Sequence, residues 1–366
     1  MHPVKSSLLA LAAALLLAPP VAAQDIVYTD AAAFPLYGKV CDDTPHRYNR
    51  LPAEFEGQLR QALWDLGRHS AGEYIRFRSD SPTIKLKWEN TGNNRMAHMS
   101  ETGIKGLDLY ALTPQGWRFV HSALPWNGKK NEYKAIGNMT PQMREYLLYL
   151  PLYDGIDSLW IGIEAGYTLD QPAVARPLSR KPVVAYGTSI LQGGCVSRPG
   201  MAHTSIIGRR LDREVINLGF SGSAHLEPQL AEWMCRVEDP GVFVLDYTEN
   251  TTLAELDSLQ EGFFRILRKH HPEVPVVFIE HVHYPYISFD TKEAESVRTK
   301  NAKLKAFYLK MKRQGEKHLF YVPADKMIGD DGEATVDGIH LTDLGTMRYA
   351  DLVTPYIRKA LNKNKP

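Results

Sequence analysis

The chain has 366 residues, with 43 basic and 42 acidic side chains for a formal net charge of +1, and 44% of its residues are hydrophobic. That length accommodates two domains with ordinary cores. The near-cancellation of charge excludes the basic field that draws a protein to nucleic acid or to an anionic membrane surface.

Residues 1–23 read as a secretory signal: Lys5 supplies a positive start, 8–17 is an apolar run, and Val21-Ala22-Ala23 ends in small residues, with cleavage expected after Ala23. The run is too short for a permanent membrane helix, and no second membrane-length run follows, so membrane insertion is not expected. The expected location is the periplasm or the cell exterior. The three cysteines, Cys41, Cys195 and Cys235, lack metal-site spacing. Cys195 and Cys235 share the downstream half and are the one pair considered for a disulfide, with small buried thiols as the alternative.

From residue 26 to about 178 the pattern is strand-like and turn-rich. The segments 73–78 and 83–88 alternate with period two, and 106–111, 117–120, 144–150 and 158–163 continue in the same manner. Many short strands separated by Gly, Pro, Asn and Asp predict a β-sandwich, with one helix between Pro52 and Gly67. The aromatics Trp64, Trp88, Tyr110, Trp117, Trp126 and Trp160 fit either a sandwich core or a sugar-stacking face, with core packing preferred. His98 falls in a loop-like stretch and is given no role. Prolines 172 and 177 oppose helix and central strand alike, so a linker is expected there, dividing a domain at 24–178 from one at 179–366.

After Pro182 the pattern changes to apolar runs alternating with helix-period segments. Strands are predicted at 183–186, 215–218, 242–246, 274–279 and 319–322. Helices are predicted at 204–211, 227–233, 252–270, 292–313 and 343–361. Such alternation defines an α/β domain, a parallel sheet covered on both faces.

Four stretches of this half fall at strand ends or before the last helix. They are Gly187-Thr188-Ser189, Asn217-Leu218-Gly219-Phe220-Ser221-Gly222, Asp246-Tyr247-Thr248-Glu249-Asn250 and Asp337-Gly338-Ile339-His340. Ligands of open α/β sheets bind at such carboxyl ends. A serine hydroxyl attacks only when a base takes its proton, and a histidine, here His340, is the side chain most often used for that task. Asp337, three residues earlier, is placed to orient the imidazole. The Ser189 and Gly222 N–H groups and the Asn250 amide would form an oxyanion hole. Each motif also has a plainer reading: a turn at Gly222, a helix cap at Asn250, a turn at Asp337-Gly338. The four together, in this order, favour the chemical one.

These blocks resemble those of the SGNH (GDSL-type) hydrolase superfamily, which carries Ser, Gly, Asn and His with an Asp three residues before the His. The resemblance covers about 182–361. It is strongest for a bacterial subgroup whose serine block reads Gly-Thr-Ser-Ile and which carries an N-terminal β-sandwich. The usual Asp before the serine is Thr188 here, and the usual Gly-x-Asn-Asp reads Thr248-Glu249-Asn250-Thr251, with Glu249 a competing occupant of the Asn position. The resemblance implies a three-layer α/β/α catalytic domain behind a jelly-roll-like sandwich. It also implies a serine esterase acting on an acetylated glycan, with no cofactor. Lipid or thioester acylhydrolysis and non-catalytic glycan binding are the alternatives. Arg198, Glu280 and His283 are candidates to contact substrate, Arg198 equally a loop pin. His281 and His283 at i, i+2 lack a third metal ligand, and the serine chemistry needs no metal.

Overall fold

The computed structural model describes residues 25–173 and 181–363. The predicted signal segment, most of the predicted linker and the 178/179 boundary lie outside the described residues.

The first half comprises β1 (Ile26–Asp30), β2 (Leu36–Tyr37), α1 (Gln61–Gly67), β3 (Tyr74–Ser79), β4 (Ile84–Asn90), α2 (Glu101–Lys105), β5 (Leu107–Thr113), β6 (Gly116–Ala123), β7 (Lys130–Ile136), β8 (Arg144–Tyr149), β9 (Ile156–Glu164) and β10 (Leu169–Asp170). They form two antiparallel sheets, ordered β1-β9-β4-β7 and β10-β3-β8-β5-β6, with β2 also on β3. Strand β4 shows the physical rule: Ile84, Leu86 and Trp88 point inward while Lys85 and Lys87 point out. Its inward row meets Phe77, Leu109, Tyr146 and Leu148 of the other sheet in one core, which is the predicted sandwich. Trp64 and Trp88 are core residues, and Tyr110 lies in a buried aromatic layer with Tyr37, Tyr74 and Tyr149. That layer faces the second half, where Arg209 lies 4.3 Å over the Tyr110 ring and the Tyr149 hydroxyl donates to the Ser205 carbonyl at 3.3 Å.

The second half comprises β11 (Val183–Gly187), α3 (Ser189–Gln192), α4 (His203–Leu211), β12 (Val215–Gly219), α5 (Pro228–Met234), β13 (Val242–Asp246), α6 (Leu253–Ser258), α7 (Gln260–His270), β14 (Val276–Ile279), α8 (Thr291–Arg313), β15 (Leu319–Val322) and α9 (Asp343–Lys363). The five strands pair in parallel in the order β12-β11-β13-β14-β15. Successive residues feed opposite layers. Val184, Tyr186, Phe243 and Leu245 pack with α5, α7 and α8, while Val183, Ala185, Val242 and Val244 pack with α4 and α9. The predicted three-layer α/β/α architecture is therefore present.

One expectation needs correction. The helix predicted across 252–270 is two helices, α6 and α7, meeting at Leu259. The Ser258 hydroxyl donates to the Ala254 carbonyl at 2.7 Å, the back-bonding that bends helices. The first half also packs closely into the second. Leu51, Phe55, Leu59, Leu63 and Trp64 are buried in the α5/α7/α8 layer of the parallel sheet. Arg50, 2% exposed, donates to the Asn217 and Gly219 carbonyls at 3.1 and 2.8 Å and to the Leu66 and His69 carbonyls at 2.7 and 2.8 Å. One side chain thus holds the end of β12 against the first half.

Candidate active site

Strand β11 ends at Gly187, where an added Cβ would lie 2.4 Å from the Asp246 carbonyl oxygen. Only glycine lets β11 and β13 converge there. The chain then turns through Thr188, whose hydroxyl accepts the Ile190 N–H and starts α3, and presents Ser189 at the first helical position. His340 reaches the same point from the loop before α9. Its Nε2 lies 3.0 Å from the Ser189 Oγ, and its Nδ1 lies 2.8 Å from the Asp337 Oδ2. The other Asp337 oxygen accepts the backbone N–H groups of Ile339 and His340 at 3.0 and 2.8 Å, so the three-residue spacing is set by a small turn. Partial burial opposes the charge on Asp337. The hydrogen bonds from the His340 ring and from the His340 and Ile339 backbones outweigh it and hold the carboxyl down at about 2. With Asp337 ionised, the tautomer that carries its proton on Nδ1 is favoured, which leaves Nε2 free to accept from the serine.

The loop after β12 bears Gly222 at φ +62°, with open space above its Cα. The Asn250 Oδ1 accepts the Ala224 N–H at 3.3 Å, tying that loop to the loop after β13 and leaving the Asn250 amide NH₂ to donate. Glu249 does not take the place of Asn250. It accepts the Val282 N–H at 3.1 Å, and burial pushes its carboxyl up to about 7.

Gln192, Tyr153 and Gly194, which have no role in the sequence reading, brace the site. Gln192, fully buried, accepts the Ser221 N–H on Oε1 at 2.9 Å and donates from Nε2 to the Leu152 carbonyl at 2.9 Å. The first half thereby sets the loop that carries Gly222. The Tyr153 hydroxyl donates to the Ser189 carbonyl at 3.3 Å. An added Cβ on Gly194 would lie 2.9 Å from that hydroxyl and 3.1 Å from the His340 ring. Cys195 follows at φ +68°, its thiol pushed up to about 12 by burial and by the Asp337 charge. The His98 ring lies 5.4 Å from that of His340. The position of Gln192, three residues after the serine on the same short helix, was the available sequence signal. Nothing local pointed to Leu152, Tyr153 or His98.

The three candidate substrate contacts each have partners within the protein. Arg198 pairs with buried Asp108 at 2.8 Å, donates to the Tyr110 hydroxyl at 2.7 Å and lies 3.8 Å over the Phe119 ring, so it pins its loop to the sandwich. Glu280 is engaged by the Tyr321 hydroxyl and, at 2.7 Å, by the Ala324 N–H, so it ties β14 to the segment after β15. The Asn301 amide and the His283 Nε2 lie 3.4 Å apart, so His283 is held toward α8, while His281 is buried, its imidazole pushed down to about 4. Cys195 and Cys235 are unpaired: Cys195 packs beside the triad cluster, and the Cys235 Sγ meets the Ile266 carbonyl behind the sheet.

A parallel sheet with a Ser–His–Asp line at its carboxyl edge has the arrangement of a serine hydrolase built on an open α/β sheet. The GDSL-like Lipase/Acylhydrolase family model matches residues 180–358, and the model for the N-terminus of Esterase_SGNH_hydro-type matches 26–169. A protein from Bacteroides ovatus described as a GDSL-like lipase is 31% identical, with 92% of this chain and 98% of that one covered at a TM-score of 0.87. The chain therefore belongs to the GDSL-like lipase/acylhydrolase family, a family of ester hydrolases. Two other solved structures share the fold. One is a salicylyl-acyltransferase from a tetracycline biosynthetic pathway (16% identity, 91% and 97% coverage, TM-score 0.73). The other is a family two carbohydrate esterase from Cellvibrio japonicus (11%, 94% and 100%, 0.59). No curated protein matches the chain in sequence.

Proposed function

We propose that the protein is an exported serine esterase that removes O-acetyl groups from an oligosaccharide or polysaccharide. The observation that carries this reading is the unbroken line from the Ser189 Oγ to the His340 Nε2, at 3.0 Å, and from its Nδ1 to Asp337, at 2.8 Å. Ser189 Oγ attacks the acetyl carbonyl carbon while its proton passes to the His340 Nε2. The Ser189 and Gly222 N–H groups and the Asn250 amide stabilise the oxyanion. Collapse breaks the carbonyl–oxygen bond to the sugar, which leaves as an alcohol carrying the proton from His340. Water, deprotonated by the same nitrogen, then cleaves the acetyl-enzyme, releasing acetate and free Ser189.

The glycan preference is supported by the fold shared with carbohydrate esterases. It is supported also by the half-buried Tyr286 ring beside the His340 loop, which lies against Gly338 with the buried Tyr284 ring stacked behind it at 6.0 Å. Export rests on residues 1–23. The test is acetate release from acetylated oligosaccharides, set against hydrolysis of long-chain acyl esters and thioesters. Faster release from the acetylated sugars, abolished in Ser189→Ala, is expected. Equal or faster turnover of long chains would replace the glycan reading with lipid or thioester hydrolysis. Sugar binding without any hydrolysis would leave a binding protein.

A further inference from the structure

We infer that the Ser189–His340–Asp337 site is also an inhibitory site for a zinc-class, thiol-seeking divalent cation, held by His98, Cys195, His340 and Asp337. One ligand atom from each of these four side chains lies within 4.8 Å of those of the others. Two imidazoles, a thiol and a carboxylate are the donor types zinc takes. Around zinc, with bonds of about 2.0–2.3 Å, neighbouring ligand atoms sit roughly 3.3–3.8 Å apart, so closure requires movements of about 1 Å. Such movements are available. His98 is half-buried at the tip of the turn closed by the Met96–Met99 bridge, and the Asp337–His340 loop is partly open to solvent, which also gives an ion its entry path.

The ester chemistry accounts for Asp337 and His340 but asks nothing of Cys195 or His98. Cys195 nevertheless holds a left-handed conformation at φ +68° that costs a non-glycine residue energy and that aims its side chain into the cluster. Binding forms a metal–sulfur bond and releases the thiol proton to solvent. It also takes a His340 nitrogen out of the Ser–His–Asp line, whichever ring nitrogen is used. The cation therefore blocks the reaction rather than assisting it. Magnesium and calcium, which prefer all-oxygen ligands, do not substitute.

The experiment pairs spectroscopy with kinetics on the full chain. Cobalt(II) titrated into the wild-type protein should produce a thiolate-to-cobalt charge-transfer band at one equivalent. The band should disappear in Cys195→Ser, and the affinity should fall at least tenfold in His98→Ala. Zinc should inhibit ester hydrolysis reversibly, chelator should restore it, and each variant should need at least tenfold more zinc while keeping its activity in chelator. Absence of the band, or equal zinc sensitivity in Cys195→Ser, overturns the site. The spectroscopic arm decides even if no ester is turned over, and hydrolysis without the band would leave the esterase reading intact while removing this one.

Discussion

The two halves of the molecule bury their strands by different rules. In the sandwich, β4 alternates one inward row with one solvent-facing row, so its chemistry-bearing positions are spent on two packed sheets. In the parallel half, β11, β12 and β13 are buried on both sides, and reactive groups are pushed to the strand ends. Ser189, the 220–222 loop and Asn250 all emerge there, and His340 arrives from the loop before α9. The sandwich supplies none of the Ser–His–Asp line, yet it holds the line's surroundings through Arg50, Leu152 and Tyr153. One half carries the Ser–His–Asp line and the other braces its surroundings. Variants on each side should therefore fail in different ways.

The largest effect belongs to the parallel half. Ser189→Ala should lower kcat by roughly four to six orders of magnitude with Tm unchanged; residual turnover above that range would move the nucleophile elsewhere. Asn250→Ala should cost roughly 10²–10³-fold in kcat, with little change in KM. A KM effect alone would make Asn250 a substrate contact instead. Arg50→Met tests the opposite side. It strips hydrogen bonds from four carbonyls, so about 3 kcal/mol or more of stability should be lost in denaturant melts. A loss of activity at full stability would contradict its role as a clamp between halves.

Gln192→Ala sits on the seam and should show both signatures. The unpaired Ser221 N–H costs about 1–3 kcal/mol of stability, and kcat falls through the misplaced Gly222 loop while KM holds. The remaining effect is a gain, and it depends on pH. Burial raises the Glu73 carboxyl from 4.5 to about 8 against the pull of Lys39 and Arg50. Between those values the folded state keeps a proton that the unfolded state releases, so stability falls as pH rises, by at most about 1.4 kcal/mol per unit. Glu73→Gln should abolish that slope, matching wild type near pH 4.5 and exceeding it near pH 8 in thermal melts. Parallel pH profiles would disprove the assignment.

Much of this was legible in the order of residues alone. Apolar runs of five residues alternating with helix-period segments point to a doubly covered parallel sheet, because the intervening helices supply the layers that bury both faces of such strands. Alternation at 83–88 specifies a half-exposed antiparallel strand for the same reason. The serine block and the Asp-Gly-Ile-His block are local patterns whose chemistry follows from residue type and short spacing. What depended on tertiary contact was every partnership across long separations. Arg198 was equally a substrate contact or a pin until Asp108, 90 residues upstream, came to lie 2.8 Å away. The approach of His98 and Cys195 to His340, the core shared by 51–64 with the second sheet, and Gln192 as a bridge between halves leave no periodic mark in the chain. They arise from burial and hydrogen-bond satisfaction at one point in space, where residues distant in sequence must fit one another.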